Sequence, residues 1–208
     1  MTARELELKA VVDEPAALAA RLAARGAPCV FRGGMFDRRY DLTARPLESR
    51  DEVLRVRTYA PAPGSPRRLA EVAWKGPTRQ SGGYKEREEL QFALAQGAPV
   101  EEILRRLGFA VTDAIDRCVE FHEFGGAVLR LEWYPRMDVL LEIEGPPDAI
   151  ETAVAACGIP RDAFTAERLL DFVVRYARRT GSLAALNLAA LAGERPDWPD
   201  WGVALHAG

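Results

Sequence analysis

Charged and apolar residues alternate along several segments of this chain. In Glu5-Leu6-Glu7-Leu8-Lys9 the charges fall on every second position. An extended strand turns successive side chains to opposite faces, so Glu5, Glu7 and Lys9 form one row and Leu6 and Leu8 the other. The pattern returns in Arg55 and Arg57 around Val56, and in Glu71, Ala73 and Lys75 opposite Val72 and Trp74. It returns again in Lys85, Arg87, Glu89 and Gln91 opposite Leu90 and Phe92, in Arg130 and Glu132 beside Leu129 and Leu131, and in Glu142 and Glu144 around Ile143. Strands are expected near 5–9, 53–59, 68–75, 84–93, 109–123, 127–134 and 139–145, with Arg117 the basic residue of the segment 115–121. Residues 29–42 read as short extended pieces broken by Gly33-Gly34.

Between the strands lie helix signals. Asp13-Glu14-Pro15 opens a helix that runs through the alanine-rich 16–25 and stops at Gly26. Pro99 opens a second helix, stopped by Gly108, and Pro146-Pro147 a third, stopped by Gly158. Further helices are expected over 166–178 and 182–192, with an irregular tail after Pro196. Strands in hairpin-connected runs, with Gly125-Gly126 as one tight turn, favour an antiparallel sheet with helices packed outside. If that sheet closes with its charged side inward, the rows become the lining of a site.

Composition narrows the chemistry. A chain of 208 residues suits one large domain or two small ones. A net charge of -3 gives no reason to expect nucleic acid or an anionic membrane as partner. No apolar run approaches the ~20 residues of a membrane span, and no signal-like N-terminal run is present, so a cytoplasmic location is expected. The three cysteines (Cys29, Cys118, Cys157) are far apart and suggest neither a disulfide framework nor a metal motif. With only His122 and His206 available, any metal would be held by carboxylate oxygens, which points to Mg²⁺ or Mn²⁺.

Arginines concentrate on some strands and glutamates on others. That segregation suits a polyanion held by bases together with a divalent ion held by acids. The candidate bases are Lys9, Arg55, Arg57, Lys75, Arg87, Arg117 and Arg130; the candidate acids are Glu5, Glu7, Glu89, Glu132, Glu142 and Glu144. Arginine forks match phosphate oxygens, and reactions at phosphorus need mainly positioning and neutralisation of spreading charge. No glycine-rich phosphate loop is present, so binding would rest on side chains.

These residues carry a family resemblance. Glu5-Leu6-Glu7-Leu8-Lys9 matches the N-terminal Glu-x-Glu-x-Lys signature of the CYTH superfamily, the triphosphate tunnel metalloenzymes. Asp37-Arg38-Arg39-Tyr40-Asp41, Leu54-Arg55-Val56-Arg57, Trp74-Lys75-Gly76-Pro77, Arg87-Glu88-Glu89-Leu90-Gln91 and Leu141-Glu142-Ile143-Glu144 resemble its later motifs, in order. The resemblance spans 1–178 and leaves 179–208 as a C-terminal tail. It implies an α+β fold with a closed eight-stranded antiparallel barrel, a charged tunnel, Mg²⁺ or Mn²⁺, and a triphosphate substrate such as ATP, thiamine triphosphate or inorganic triphosphate. It implies that Glu5, Glu7, Glu142 and Glu144 serve the metal, joined by Glu89 and Glu132. Lys9, Arg55, Arg57, Lys75, Arg87, Arg117 and Arg130 would grip the triphosphate, with Lys9, Glu5 and Glu7 catalytic. Departures are Glu132 in place of an Asp, Gln91 in place of an acid, Ile115 in place of a Lys, Arg39 in place of a Tyr and Asp138 in place of a Gly. Hydrolysis is slightly favoured, because no nucleobase-reading motif stands out; cyclisation of ATP to cyclic AMP and a non-catalytic binding module are the alternatives. Outside these rows, Tyr40, Trp74 and Cys118 read as packing residues, His122 as a surface or loop residue, and Lys85 as equally suited to tunnel or surface.

Overall fold

The computed structural model describes residues 3–95 and 98–203. Among the described residues nine strands form: β1 (Ala3–Val11), β2 (Cys29–Asp41), β3 (Val53–Pro61), β4 (Glu71–Lys75), β5 (Arg79–Ser81), β6 (Tyr84–Ala93), β7 (Ala110–Phe124), β8 (Ala127–Trp133) and β9 (Leu140–Glu144). The helices are α1 (Pro15–Ala24), the single turn α2 (Pro46–Ser49), α3 (Val100–Arg106), α4 (Pro147–Cys157) and α5 (Leu169–Thr180). The strands pair in the order β1-β9-β8-β7-β2-β3-β4-β6, and β6 pairs back onto β1, closing an eight-stranded barrel. Every ladder is antiparallel. Short β5 runs along the β6 edge beyond β4, so β4 and β5 act as one strand interrupted at Gly76-Pro77.

Closure decides where the two rows of each strand go. Leu8, Leu129, Leu131, Leu141 and Ile143 point outward, fully buried against Ile150, Ala153 and Val154 of α4 and Leu18 and Leu22 of α1. Burying such a side chain is worth about 1.5–3 kcal/mol. The main hydrophobic core therefore lies between barrel and helices, which leaves the interior free to hold charge. At one end of the barrel, Phe172 of α5 packs on Ile115, Tyr134, Met137 and Leu140. Ile115 and Leu140 are in phase with Arg117 and Glu142, so α5 covers the interior at that end.

Three expectations are corrected. Strand β2 runs unbroken through Gly33-Gly34. These glycines permit close approach: a Cβ at Gly33 would meet the Phe31 ring at 2.9 Å, and one at Gly34 the Phe36 ring at 2.7 Å. The strand expected over 68–75 begins only at Glu71, since the proline-rich segment before it stays irregular. The helix expected over 182–192 reduces to a 3₁₀ turn at Leu188–Leu191. There the backbone pairs with the barrel instead: Asp116 N–H donates to Leu186 O, and Leu188 N–H to the Asp116 carboxylate. Trp201 stacks edge-on against Trp133, 5.0 Å between centroids, so the described part of the tail lies along the outside of the barrel. His206 falls outside the described residues. Among those described, no helix is long and apolar enough to cross a membrane.

Candidate active site

The inward rows meet as two zones of different electrostatic character. The deeper zone is mostly internally paired, with Arg117 Nε, 3.4 Å from Glu132, its one buried donor without a hydrogen-bond partner among the described residues. The Asp37 carboxylate accepts Arg57 Nε at 2.6 Å, Arg57 Nη2 at 3.0 Å and Arg117 Nη2 at 2.7 Å. Glu132 accepts Arg130 Nε at 2.7 Å and the Tyr134 hydroxyl at 2.6 Å. Arg130 also bonds Glu142. The Lys9 ammonium sits between Glu7 and Glu142, 2.7 Å from the latter, and Lys85 donates to Glu7 at 2.6 Å. Burial opposes these charges, and at Asp37, Glu142 and Lys9 the partners prevail, whereas at Lys85 burial and nearby Lys9 outweigh Glu7 and push the pKa down. Arg57 and Arg117 hold Asp37 well below the usual carboxylate range; Arg130 and Lys9 do the same for Glu142. Glu142 and Glu7 hold Lys9 above the usual lysine value despite burial, which favours the ammonium form.

The shallower zone lines an open cavity of about 350 Å³, within the range of small-molecule sites. Its charged lining includes Glu5, Arg55, Arg57, Glu89, Arg130 and Glu144, with Arg68, Glu71 and Glu123 besides. Here compensation is incomplete. Arg55 is 7% exposed, and its Nε has no hydrogen-bond partner among the described residues. The carboxylates around it stand off at 3.5 Å (Glu89) and 3.9 Å (Asp37). Burial and the neighbouring Arg57 push its pKa down. Burial pushes the Glu89 carboxyl up, and burial with nearby Glu142 and Glu5 pushes Glu144 well up despite Arg130. A ligand that brought anionic oxygens to Arg55 and a cation to the acids would relieve both.

One group of acids suits that cation. Single carboxylate oxygens of Glu5, Glu7 and Glu144 lie within 4.8 Å of one another. An all-oxygen donor set fits Mg²⁺ or Mn²⁺. Each acid rests on a base in this structure: Glu5 on Lys75, Glu7 on Lys9 and Lys85, Glu144 on Arg130 at 3.3 Å.

The expected residues thus separate. Glu5, Glu7 and Glu144 come together, whereas Glu132 and Glu142 are taken up by arginine and lysine, and Glu89 stands between Lys75 at 3.4 Å and Arg55. Arg55, Arg57 and Arg130 reach the cavity, while Lys9 and Arg117 belong to the paired zone. Arg87 donates to the backbone carbonyls of Gly76, at 2.6 Å, and Asp51, at 2.5 Å, tying two loops together. Asp37 was not among the expected site residues, although its place at the head of the Asp-Arg-Arg-Tyr-Asp segment, in phase with Arg39 and Asp41, was a usable signal. Lys85 turns inward. His122 is corrected from surface to interior: on the outward face of β7 it is 1% exposed, and its ring nitrogens meet Ala27 O at 2.8 Å and Glu120 at 3.1 Å.

No protein-family model matches the chain, and no curated protein matches it in sequence. Solved structures do match in shape. A Vibrio parahaemolyticus protein described as a candidate adenylate cyclase superposes with a TM-score of 0.69 at 13% identity, over 84% of this chain and 99% of its own. A Pyrococcus horikoshii protein superposes with a TM-score of 0.64 at 20% identity, over 82% of this chain and 98% of its own. HpAC1 from Hippeastrum, a candidate adenylyl cyclase with a dominant triphosphatase activity, superposes with a TM-score of 0.58 at 16% identity, over 90% and 99%. The shared feature is the fold, and it is the closed barrel that the CYTH resemblance implied.

Proposed function

We propose that this chain is a CYTH-type, Mg²⁺- or Mn²⁺-dependent enzyme acting on the triphosphate group of a small molecule, by hydrolysis. The observation that carries the reading is the buried Arg55 guanidinium, with its Nε unpartnered, across one cavity from the carboxylates of Glu5 and Glu144. Arg55, Arg57 and Arg130 would hold phosphate oxygens in place, and charge-assisted bonds of this kind are about twice as strong as neutral ones. Glu5, Glu7 and Glu144 would hold the cation, which would supply neutralisation of the charge spreading over the transferred phosphoryl oxygens. Lys9, held as an ammonium, fixes the orientation of Glu7. Water attacks the terminal phosphorus, the bridging P–O bond breaks, and its electron pair leaves with the diphosphate product.

The fold neighbours support the reading at the level of their own described activities, candidate adenylate cyclase and triphosphatase. Incubation of the protein with ATP, thiamine triphosphate and inorganic triphosphate, each with Mg²⁺ or Mn²⁺ and with EDTA controls, tests it. Metal-dependent release of orthophosphate is the expected result. Cyclic AMP with pyrophosphate would replace hydrolysis by cyclisation, and binding without turnover would reduce the protein to a binding module.

A further inference from the structure

The cavity lining includes one cation that the charged strand rows do not account for. Arg68 shares the cavity with Arg55, Arg57 and Arg130, yet it stands on no strand: it belongs to the irregular residues 62–70 between β3 and β4, and it is exposed. Its guanidinium rests on ring faces, 4.7 Å from the Phe121 centroid, 5.1 Å from Tyr59 and 5.6 Å from Phe31. Among the described residues no carboxylate pairs with it, although Glu71 and Glu123 line the same cavity; Glu71 accepts the Tyr59 hydroxyl instead, at 3.1 Å. The Arg130 guanidinium lies 5.6 Å over the same Phe121 ring, so two like charges crowd one ring. The segment that carries Arg68 is tied at its ends and not between them. At its start, Ala62 N–H donates to Arg32 O at 2.9 Å, and Arg32 N–H donates to Ser65 Oγ at 2.9 Å. At its end, Leu94 N–H donates to Ala70 O at 2.7 Å. Residues 66–69 are all exposed and make no backbone hydrogen bond among the described residues.

We infer that Arg68 is a mobile clamp: when a polyanion enters the cavity, the guanidinium leaves the rings and closes on the phosphate oxygens beside Arg130. The inference rests on the triphosphate reading above and adds to it a binding residue and the strap that delivers it. A cation over a ring face at an exposed site is held less firmly than one in a charge-assisted bond to phosphate. The anion meets Arg68 only in the closed arrangement, and that difference is what shifts the strap. The ring stack is then the resting place that keeps the clamp at the cavity while the site is open.

Calorimetric and rapid-mixing titrations of inorganic triphosphate into the full chain, with Ca²⁺ in place of Mg²⁺ to slow turnover, test the inference. Arg68→Ala should weaken the ligand roughly tenfold, with most of the loss in the dissociation rate, because closure follows encounter. Arg68→Lys should recover part of the loss. Arg67→Ala, which removes the neighbouring charge on the same segment, should stay within about twofold of the parent. Motion of the strap is read separately, by trypsin cleavage after Arg67 identified by mass spectrometry. Saturating triphosphate should slow that cut severalfold in the parent and leave it unchanged in Arg68→Ala. Equal affinity of parent and Arg68→Ala, equal weakening by Arg67→Ala, or protection that persists in Arg68→Ala would overturn the inference while leaving the triphosphate site standing. Failure of the parent to bind triphosphate would overturn both readings.

Discussion

Arg57 and Asp37 face each other fork to fork across the β3–β2 ladder, through hydrogen bonds of 2.6 and 3.0 Å, inside a closed barrel. The pair borders the cavity where the Arg55 Nε stands without a hydrogen-bond partner among the described residues.

Removing Asp37 should therefore cost stability. Asp37→Ala strands Arg57 and Arg117, and breaking a buried pair costs about 3–5 kcal/mol. Urea denaturation of the variant and the parent measures the difference; a change within 0.5 kcal/mol, by the usual size of ~0.5 kcal/mol for neutral surface substitutions, would contradict the assignment.

The same pair fixes a pH dependence. Despite burial, the arginines hold the folded-state pKa of Asp37 well below its ordinary value, whereas the unfolded chain protonates near 3.9. As pH falls the unfolded state takes up the proton first. The stability from Asp37 is thus full above about pH 5 and declines as pH drops through 3.9 toward the folded value. The gap in unfolding free energy between parent and Asp37→Asn should shrink by about 1 kcal/mol from pH 5 to pH 3. A gap independent of pH would count against it.

Arg55 should behave in the opposite way. Burial and Arg57 depress its pKa, and its Nε is unpartnered, so Arg55→Met should leave the ligand-free protein as stable as the parent, or more so. Triphosphate affinity should fall at least tenfold, in line with about 1.5–3 kcal/mol for a hydrogen bond to a charged group. Thermal melts with and without inorganic triphosphate report both effects. Loss of stability with unchanged ligand affinity would make Arg55 structural.

Glu7→Gln and Glu144→Gln each remove one acid of the cluster that gathers within 4.8 Å. Both should abolish metal-dependent turnover and weaken Mn²⁺ binding, read by the electron paramagnetic resonance of free Mn²⁺. Glu132→Gln, whose carboxylate is held by Arg130 and Tyr134, should leave Mn²⁺ affinity nearly intact. Equal loss in all three variants would disperse the proposed cation site.

Strand rows such as Glu5-Leu6-Glu7-Leu8-Lys9 were legible in the sequence because a period of two is local, and Leu8 and Ile143 follow it onto the outer face. Ring closure came only through the family resemblance, and the strand pairing was not legible, because both depend on contacts between distant segments. Glu142 and Glu144 look alike in sequence, yet Lys9 and Arg130 hold Glu142 deprotonated while burial leaves Glu144 raised. Gly33-Gly34 reads as a break until the Phe31 and Phe36 rings packed over it are seen. His122 gave no signal that Ala27 O would claim it. The Arg68 guanidinium over the Tyr59 and Phe121 rings was not legible either, because the three residues come from separate segments that only the closed barrel brings together.

The most direct test is a crystal structure of the protein with Mn²⁺ and a non-hydrolysable triphosphate analogue, with the metal located by anomalous scattering. The account predicts a manganese peak among Glu5, Glu7 and Glu144 and phosphate oxygens within hydrogen-bond reach of the Arg55 guanidinium. Manganese and phosphate found outside the barrel, with Arg55 Nε still unpartnered, would contradict it.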